Sequence, residues 1–145
     1  MSYSFIIVII ASFLVAQLSK FFISNNHLKF TIGNIFSYSG MPSSHAAASI
    51  GLTTIIGLRL GFDSPFFAII LFFTILVIRD AVGIRRYIGA QGEVINDLVK
   101  DLGNDQYLNQ SYPKMKERVG HTKKQILVGS VIGLIVAIAT YYLMP

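Results

Sequence analysis

Long apolar runs separated by polar stretches predict four membrane-crossing helices. A helix needs roughly 20 mainly apolar residues to span the hydrocarbon layer of a bilayer. Residues 2–19 and 125–144 approach or reach that length without a charged side chain. Residues 44–58 and 65–78 are shorter, and the Gly/Asp/Ser-rich turn between them indicates a helical hairpin. The pattern predicts an all-α, polytopic membrane bundle of about four spans, in one domain that covers the whole chain.

The third apolar segment is followed by a different periodicity. Over residues 82–102 one set of side chains recurs at intervals of three and four and shares a narrow stripe of a helix. The set comprises Ile84, Ile88, Gln91, Ile95, Leu98 and Leu102. This spacing predicts an amphipathic helix that continues the third span at the cytoplasmic face. In an unbroken helix Asp80 falls near the stripe, and Arg86 falls opposite it.

Composition supports a membrane location. Of the 145 residues, 53% are hydrophobic and 13% are charged, which is far more apolar than an ordinary soluble domain. Cysteine is absent, so disulfides, thiol nucleophiles and thiolate metal sites are excluded.

Basic residues predict the orientation. If all four segments cross the bilayer, eleven of the twelve lysine and arginine residues lie on one side, and only Arg59 lies on the other. The eleven are Lys20, Lys29, Arg79, Arg85, Arg86, Lys100, Lys114, Lys116, Arg118, Lys123 and Lys124. By the positive-inside rule this side is cytoplasmic, which indicates a plasma (inner) membrane protein with both termini opposite. Attraction to anionic headgroups explains the net charge of +5 without nucleic acid as a partner.

Polar residues at the helix ends form the candidate site. His45 and His121 begin the second and fourth spans, and Lys20 ends the first. Asp80, Arg85 and Arg86 leave the third span on the same side, and His27 is given no role. Free N–H groups of helix N-termini and basic side chains favour a phosphate. One neutral histidine has a nitrogen for attack on phosphorus and the other a proton for the leaving group, which describes phosphoryl transfer without a metal or other cofactor.

Three short strings carry a family resemblance: "GMPSSH" at 40–45, "DAVGIRR" at 80–86 and "GHT" at 120–122. With them, nearly the whole chain resembles the short, divergent branch of the superfamily of type 2 phosphatidic acid phosphatases, acid phosphatases and vanadium haloperoxidases. The resemblance implies His121 as the nucleophile and His45 as the general acid. It also implies that phosphate contacts come from Lys20, Ser43, Ser44 and Arg118.

The sequence departs from the catalytic pattern of that superfamily in its third motif and after Lys20. No Arg-Pro pair follows Lys20, and Arg118 lies only three residues before His121. Gln125 occupies the position of an acidic residue, so the orienting partner of the histidine is missing. We expect Asp80 to replace it, and Arg85 and Arg86 to replace the lost arginine.

Two functions from different classes follow. The first is hydrolysis of a lipid phosphate or diphosphate. The second is a non-catalytic membrane module that binds anionic lipid or a partner protein through a degenerate phosphate site. A lipid or ion carrier is a third class, with only the polar groups in its favour.

Simpler interpretations of single residues also stand: Ser43 as a helix cap, Lys20 as a side chain that snorkels to the headgroups, and Gly129 and Gly133 as a packing motif. The substrate and the oligomeric state stay open.

Overall fold

The computed structural model describes residues 3–23, 40–102, 112, 114–117 and 119–144 of the chain. This part is built from α-helices and contains no strand, which confirms the all-α prediction. The helices are α1 (Tyr3–Ser19), α2 (Ser44–Leu60), α3 (Pro65–Val82), α4 (Ile84–Asp101) and α5 (Lys123–Leu143), and a 3₁₀ turn, Lys20–Phe22, extends α1.

Three stretches in the described residues are long and apolar enough to cross a membrane: Tyr3–Phe22, Pro65–Asp101 and Lys123–Leu143. Helix α2 has 17 residues and forms the centre of the bundle, where it packs against α1, α3 and α5. Large apolar side chains such as Ile10, Phe72 and Leu127 are more than half exposed on the outer surface. An apolar exterior of this kind is stable in lipid, and the helix count roughly fits the predicted four-span bundle.

Glycines bring the central helices close together. A Cβ atom at Gly51 of α2 would lie 2.6 Å from the hydroxyl oxygen of Ser12 on α1. A Cβ atom at Gly133 of α5 would lie 2.9 Å from the backbone nitrogen of Gly51 and closer still to the carbonyl oxygen of Ala47. Gly129 contacts the backbone of Ser43 in the same way. The predicted packing role of the G-x-x-x-G motif is therefore confirmed, because only hydrogen fits between these backbones.

A small polar cluster joins α2 to α3. The hydroxyl oxygens of Thr53 and Thr74 lie 2.8 Å apart. Both lie within hydrogen-bonding distance of the carbonyl oxygen of Ser49, at 2.8 and 3.3 Å. Because both threonines are buried, their hydroxyl groups need these partners, and the cluster fixes α3 against the central helix.

The third span and the amphipathic helix are two helices, and the prediction of a continuous one is wrong at Gly83. Helix α3 ends at Val82, and Gly83 has φ −99° and ψ −99°, outside the helical region. Its N–H still closes α3 by donating to the carbonyl of Arg79 at 2.9 Å, whereas a Cβ atom there would lie 2.8 Å from the same oxygen. The break changes the rotational relation between Asp80 and the α4 stripe.

Helix α4 leaves its apolar stripe exposed, with Ile84, Ile88 and Leu98 more than half exposed. A neighbouring face of small residues holds the segment that leads to α5. A Cβ atom at Gly89 would lie 2.6 Å from the carbonyl oxygen of Glu117. The Asn96 side chain donates to the carbonyl oxygen of Met115 and accepts from its N–H, both at 2.9 Å. The segment preceding His121 is therefore attached to α4.

Candidate functional site

One cavity of about 130 Å³ lies where the helix ends meet, and its walls come from three helices and one loop. Helix α2 contributes His45, the end of α3 contributes Asp80, the start of α4 contributes Arg85, and the loop before α5 contributes His121. The remaining lining residues are Val77, Ala81, Val119 and Gly120. Four residues selected from the sequence as site candidates thus share one cavity, although 35 or more positions separate His45 from the others.

Backbone contacts at the junction of α3 and α4 fix the loop that carries His121. The N–H of His121 donates to the carbonyl oxygen of Ala81 at 3.0 Å. Gly120 has φ +88°, a conformation that side chains disfavour, and a Cβ atom there would lie 2.8 Å from the backbone nitrogen of Arg86. The glycine of the "GHT" string is therefore needed for the close approach that places His121 in the cavity.

Gln125 contacts the His121 ring, so this ring has a hydrogen-bonding partner although the acidic residue of the superfamily is absent from that position. Its Oε1 atom lies 3.3 Å from Nδ1 of His121 and accepts the N–H of Thr122 at 2.8 Å. Thr122 is the N-cap of α5 and Gln125 is its third residue, so the two form a capping box. The capping box folds the side chain of Gln125 back over the start of α5, where it reaches His121, the residue before the N-cap.

Asp80 does not take that orienting place and instead pairs with Arg85. Its carboxylate accepts from Nε of Arg85 across the α3–α4 break. Both side chains are partly exposed and line the cavity beside His121. Arg85 therefore lines the cavity with part of its charge already balanced.

His121 is buried, with 6% of its surface exposed, in a cationic environment. Burial lowers the pKa of His121 below its ordinary value of 6.5, and the positive charges of Lys20 and Arg85 and the neighbouring His45 lower it further. The hydrogen bond to the amide oxygen of Gln125 raises the pKa and so acts in the opposite direction. The net result is a neutral imidazole at physiological pH.

Lys20 belongs to the same electrostatic cluster. It lies in the 3₁₀ turn after α1 and is 2% exposed, so it does not extend to the headgroups as the snorkelling interpretation requires. His45 is exposed, and its ring packs edge-on against Phe13 of α1, with centroids 6.2 Å apart. Helix α1 thus supports the site through one buried cation and one aromatic ring.

Of the other candidate phosphate contacts, the three that the structure describes do not line the cavity. Ser43 is fully buried and caps α2 by accepting the N–H of Ala46 at 3.4 Å, which agrees with its interpretation as a helix cap. Ser44 is buried beside it, and Arg86 is exposed outside the lining. Arg118 lies outside the described residues. Among the residues described, no three His, Asp or Glu side chains form a group able to hold a metal ion.

Sequence reasoning missed the supporting residues. The T-x-x-Q spacing of Thr122 and Gln125 is a capping-box signal, and it would have placed the glutamine beside His121. The contacts of Phe13, and of the carbonyl oxygen of Ala81, have no local sequence signal because they depend on how α1 and α3 pack.

The fold and this cavity define an all-α membrane protein with a two-histidine site at one end of its bundle. The chain belongs to the divergent PAP2 family, whose family model matches residues 1–136. It is 33% identical over 147 residues to the uncharacterized membrane protein YuiD of Bacillus subtilis (strain 168), an alignment that covers 92% of this chain and 90% of that protein. No solved structure matches the chain significantly. These comparisons confirm the resemblance to a divergent branch of the superfamily, and with the apolar helices they identify an integral membrane protein.

Proposed function

We propose that this protein is a metal-independent phosphatase that hydrolyses a lipid phosphate or diphosphate through a phosphohistidine. The observation that carries the proposal is the convergence of His45 and His121 on one cavity that also holds Arg85, with Lys20 buried nearby. Two imidazoles and two cations at one site match the needs of phosphoryl transfer: a nucleophile, a proton donor and compensation of phosphate charge.

In the proposed reaction, Nε2 of His121 attacks the phosphorus atom of the substrate, and the bond from phosphorus to the leaving oxygen breaks. His45, in its protonated form, gives a proton to that oxygen, so the alcohol or the phosphorylated alcohol leaves with this oxygen protonated. Water then attacks the phosphohistidine, and its proton returns to His45 as inorganic phosphate leaves. The low pKa of His121 supports the first step because the neutral ring retains the attacking lone pair.

The charged residues receive distinct roles in this proposal. Lys20 and Arg85 balance the phosphate charge, and Asp80 holds Arg85 until the anion competes for it. By resemblance to the superfamily, Ser43, Ser44 and Arg118 are further phosphate contacts. Arg86 is expected to share with Arg85 the place of the lost arginine. Arg85 lines the cavity whereas Arg86 does not, and the hydroxyl group of Ser43 caps α2. Since Lys20 is buried and its charge acts on His121, these contacts favour Lys20 and Arg85 as the main phosphate-binding residues.

We also propose that the site faces the cytoplasmic leaflet of the plasma membrane. Lys114, Lys116, Lys123 and Lys124 are exposed at the same end of the bundle as His121, whereas Arg59 lies near the opposite end of α2. A basic surface of this kind favours the cytoplasmic side and attracts lipids with anionic headgroups. A phosphorylated lipid is therefore concentrated where the cavity lies.

A second candidate, the non-catalytic module, is favoured by one observation. The residue against the His121 ring is a neutral glutamine, so no negative charge stabilises the ring when it becomes cationic during phosphoryl transfer. In this alternative the cavity binds anionic headgroups without turnover. Binding then depends on Arg85 and Lys20 and survives loss of His121.

Phosphate release from a panel of lipid phosphates and diphosphates distinguishes the two functions. The proteins compared are wild type, His121→Ala and His45→Ala in detergent, with His27→Ala as the control for a general effect of histidine removal. The phosphatase proposal expects phosphate release that resists chelators and is inhibited by vanadate. This release is lost in His121→Ala and in His45→Ala but not in the His27→Ala control. Phosphate release that persists in His121→Ala and His45→Ala contradicts the phosphatase proposal. Vanadate binding without phosphate release supports the non-catalytic module.

A further inference from the structure

We propose that Gln125 is a positioning residue that holds His121 in one tautomer, with the proton on Nδ1 and the lone pair on Nε2. The consequence for catalysis rests on the proposed function, because it concerns which ring nitrogen attacks phosphorus. The tautomer itself does not depend on turnover and can be measured separately.

The identity of the Gln125 atom that faces the ring follows from the capping box. The N–H of Thr122 is a donor only, and it lies 2.8 Å from Oε1 of Gln125. The amide group must therefore present its oxygen to this N–H. A reversed amide would place two donors against each other at the start of α5.

That oxygen also decides the state of the imidazole. Oε1 lies 3.3 Å from Nδ1 of His121, and an amide oxygen only accepts. Nδ1 must then carry a proton and donate it, and in a neutral ring the remaining nitrogen, Nε2, carries the lone pair. An amide oxygen has two lone pairs, so it accepts from both Thr122 and His121.

The neutrality of Gln125 matters because of the charges around the ring. Within the described part of the chain, the titratable and charged groups that face His121 are Lys20 from the turn after α1, His45 from α2, Asp80 from the end of α3 and Arg85 from the start of α4. Asp80 is paired with Arg85, so the surroundings disfavour a second proton on the ring. A carboxylate at position 125 would favour that proton, and an imidazolium has no lone pair for attack.

The backbone of Gln125 has a separate function. Its carbonyl oxygen accepts the N–H of Ser43 at 3.0 Å and so links the start of α5 to the start of α2, which carries His45. Replacing the side chain of Gln125 leaves its carbonyl oxygen free to accept the N–H of Ser43. Side-chain variants therefore test the tautomer of His121 while the contact between α5 and α2 is kept.

The test is long-range ¹H–¹⁵N correlation of histidine-¹⁵N protein in micelles above pH 7, with the His121 signals assigned by their loss in His121→Asn. Wild type is expected to show a protonated Nδ1 and an unprotonated Nε2. Gln125→Leu removes the acceptor and is expected to give a mixture of tautomers. Gln125→Glu keeps the acceptor, adds a charge and is expected to shift the titration midpoint of His121 to higher pH.

Thr122→Ala is the matched control, because it removes the hydroxyl cap of α5 and leaves Oε1 of Gln125 facing the ring. It is expected to lower the melting temperature without changing the tautomer. A proton on Nε2 in wild type, or an unchanged tautomer in folded Gln125→Leu, overturns the inference. If Gln125→Leu does not fold, an unshifted midpoint in Gln125→Glu overturns it.

Turnover adds an independent readout. Gln125→Leu is expected to lower kcat by roughly two- to tenfold with little change in KM, since only the fraction of His121 with its lone pair on Nε2 can attack phosphorus. If wild type has the expected tautomer but releases no phosphate from any lipid, the proposed function fails and the tautomer assignment stands.

Discussion

Replacement of Gly133 by alanine is expected to destabilise the protein by opposing the contact between α2 and α5. The added methyl group would lie 2.9 Å from the backbone nitrogen of Gly51, whereas ordinary van der Waals contact begins near 3.4 Å. The carbonyl oxygen of Ala47 lies closer still to that position. Both neighbours are helical backbone, so neither can move away as a flexible side chain does, and the two helices must separate by about 1 Å.

Two opposing effects set the size of this change. Alanine has a higher helix propensity than glycine, which by itself stabilises α5 by about 1 kcal/mol. Overpacking a close contact costs about 1–3 kcal/mol or more when backbone must shift. The methyl group meets backbone on two sides, so we expect the cost to exceed the gain and the melting temperature to fall by roughly 5 °C.

The assay is thermal unfolding of detergent-purified protein followed by circular dichroism. Ala139→Val is the matched control, since it also adds methyl groups to α5 but at an exposed position. The control is expected to melt within about 1 °C of wild type. A Gly133→Ala variant that melts at or above the wild-type temperature refutes the reasoning, because helix propensity alone then decides the outcome.

Three further predictions concern the cavity and its support. Arg85→Gln is expected to weaken vanadate binding roughly tenfold, and Arg86→Gln to leave it nearly unchanged, since only Arg85 lines the cavity; equal losses in titration calorimetry contradict this. The proposed nucleophile is the neutral form of His121, whose pKa is lowered below 6.5, so kcat/KM is expected to fall on acidification only below pH 6.5; an acidic limb above that pH contradicts the assignment. Asn96→Ala is expected to accelerate tryptic cleavage after Lys114 and Lys116, because three hydrogen bonds to this segment are lost, while Asp97→Ala serves as the unaffected control.

The same protonation argument gives a stability prediction of definite sign. A buried group with a lowered pKa binds fewer protons in the folded than in the unfolded state between its two pKa values. The folded state containing His121 therefore loses stability as pH falls through 6.5 toward the lower folded-state pKa. His121→Asn removes this dependence, so its melting temperature is expected to change less between pH 7 and pH 5.

The bundle and the meeting of the candidate residues could be predicted because both follow from segment order. The apolar runs predict the helices, and a chain that reverses direction from one helix to the next brings His45, Asp80, Arg85 and His121 to one end of the bundle. The spacing of Gly129 and Gly133 likewise gives their packing role without knowledge of the partner helix. These predictions use only periodicity, length and charge.

The remaining features depend on contacts that the pattern does not encode. Gly83 interrupts the third helix through its backbone angles, while the apolar spacing continues across it. An acidic residue at position 125 would offer the His121 ring both a negative charge and a hydrogen-bond acceptor. Gln125 lacks the charge but accepts a hydrogen bond, so a comparison by charge alone does not predict its contact with the ring. The contacts of Glu117 and Val119 with Gly89 involve backbone atoms, which leave no residue-type signal.

The most direct test of the central claim is to trap the covalent intermediate. Wild type is mixed briefly with a ³²P-labelled lipid phosphate that supports turnover, quenched in alkali to preserve phosphohistidine, and digested for mass spectrometry. The account predicts acid-labile phosphate on His121 and none in His121→Ala. Turnover without phosphate on His121, or phosphate on His45 instead, contradicts the proposed mechanism. The absence of both turnover and label across the lipid panel contradicts the phosphatase assignment and favours a site that binds anions without chemistry.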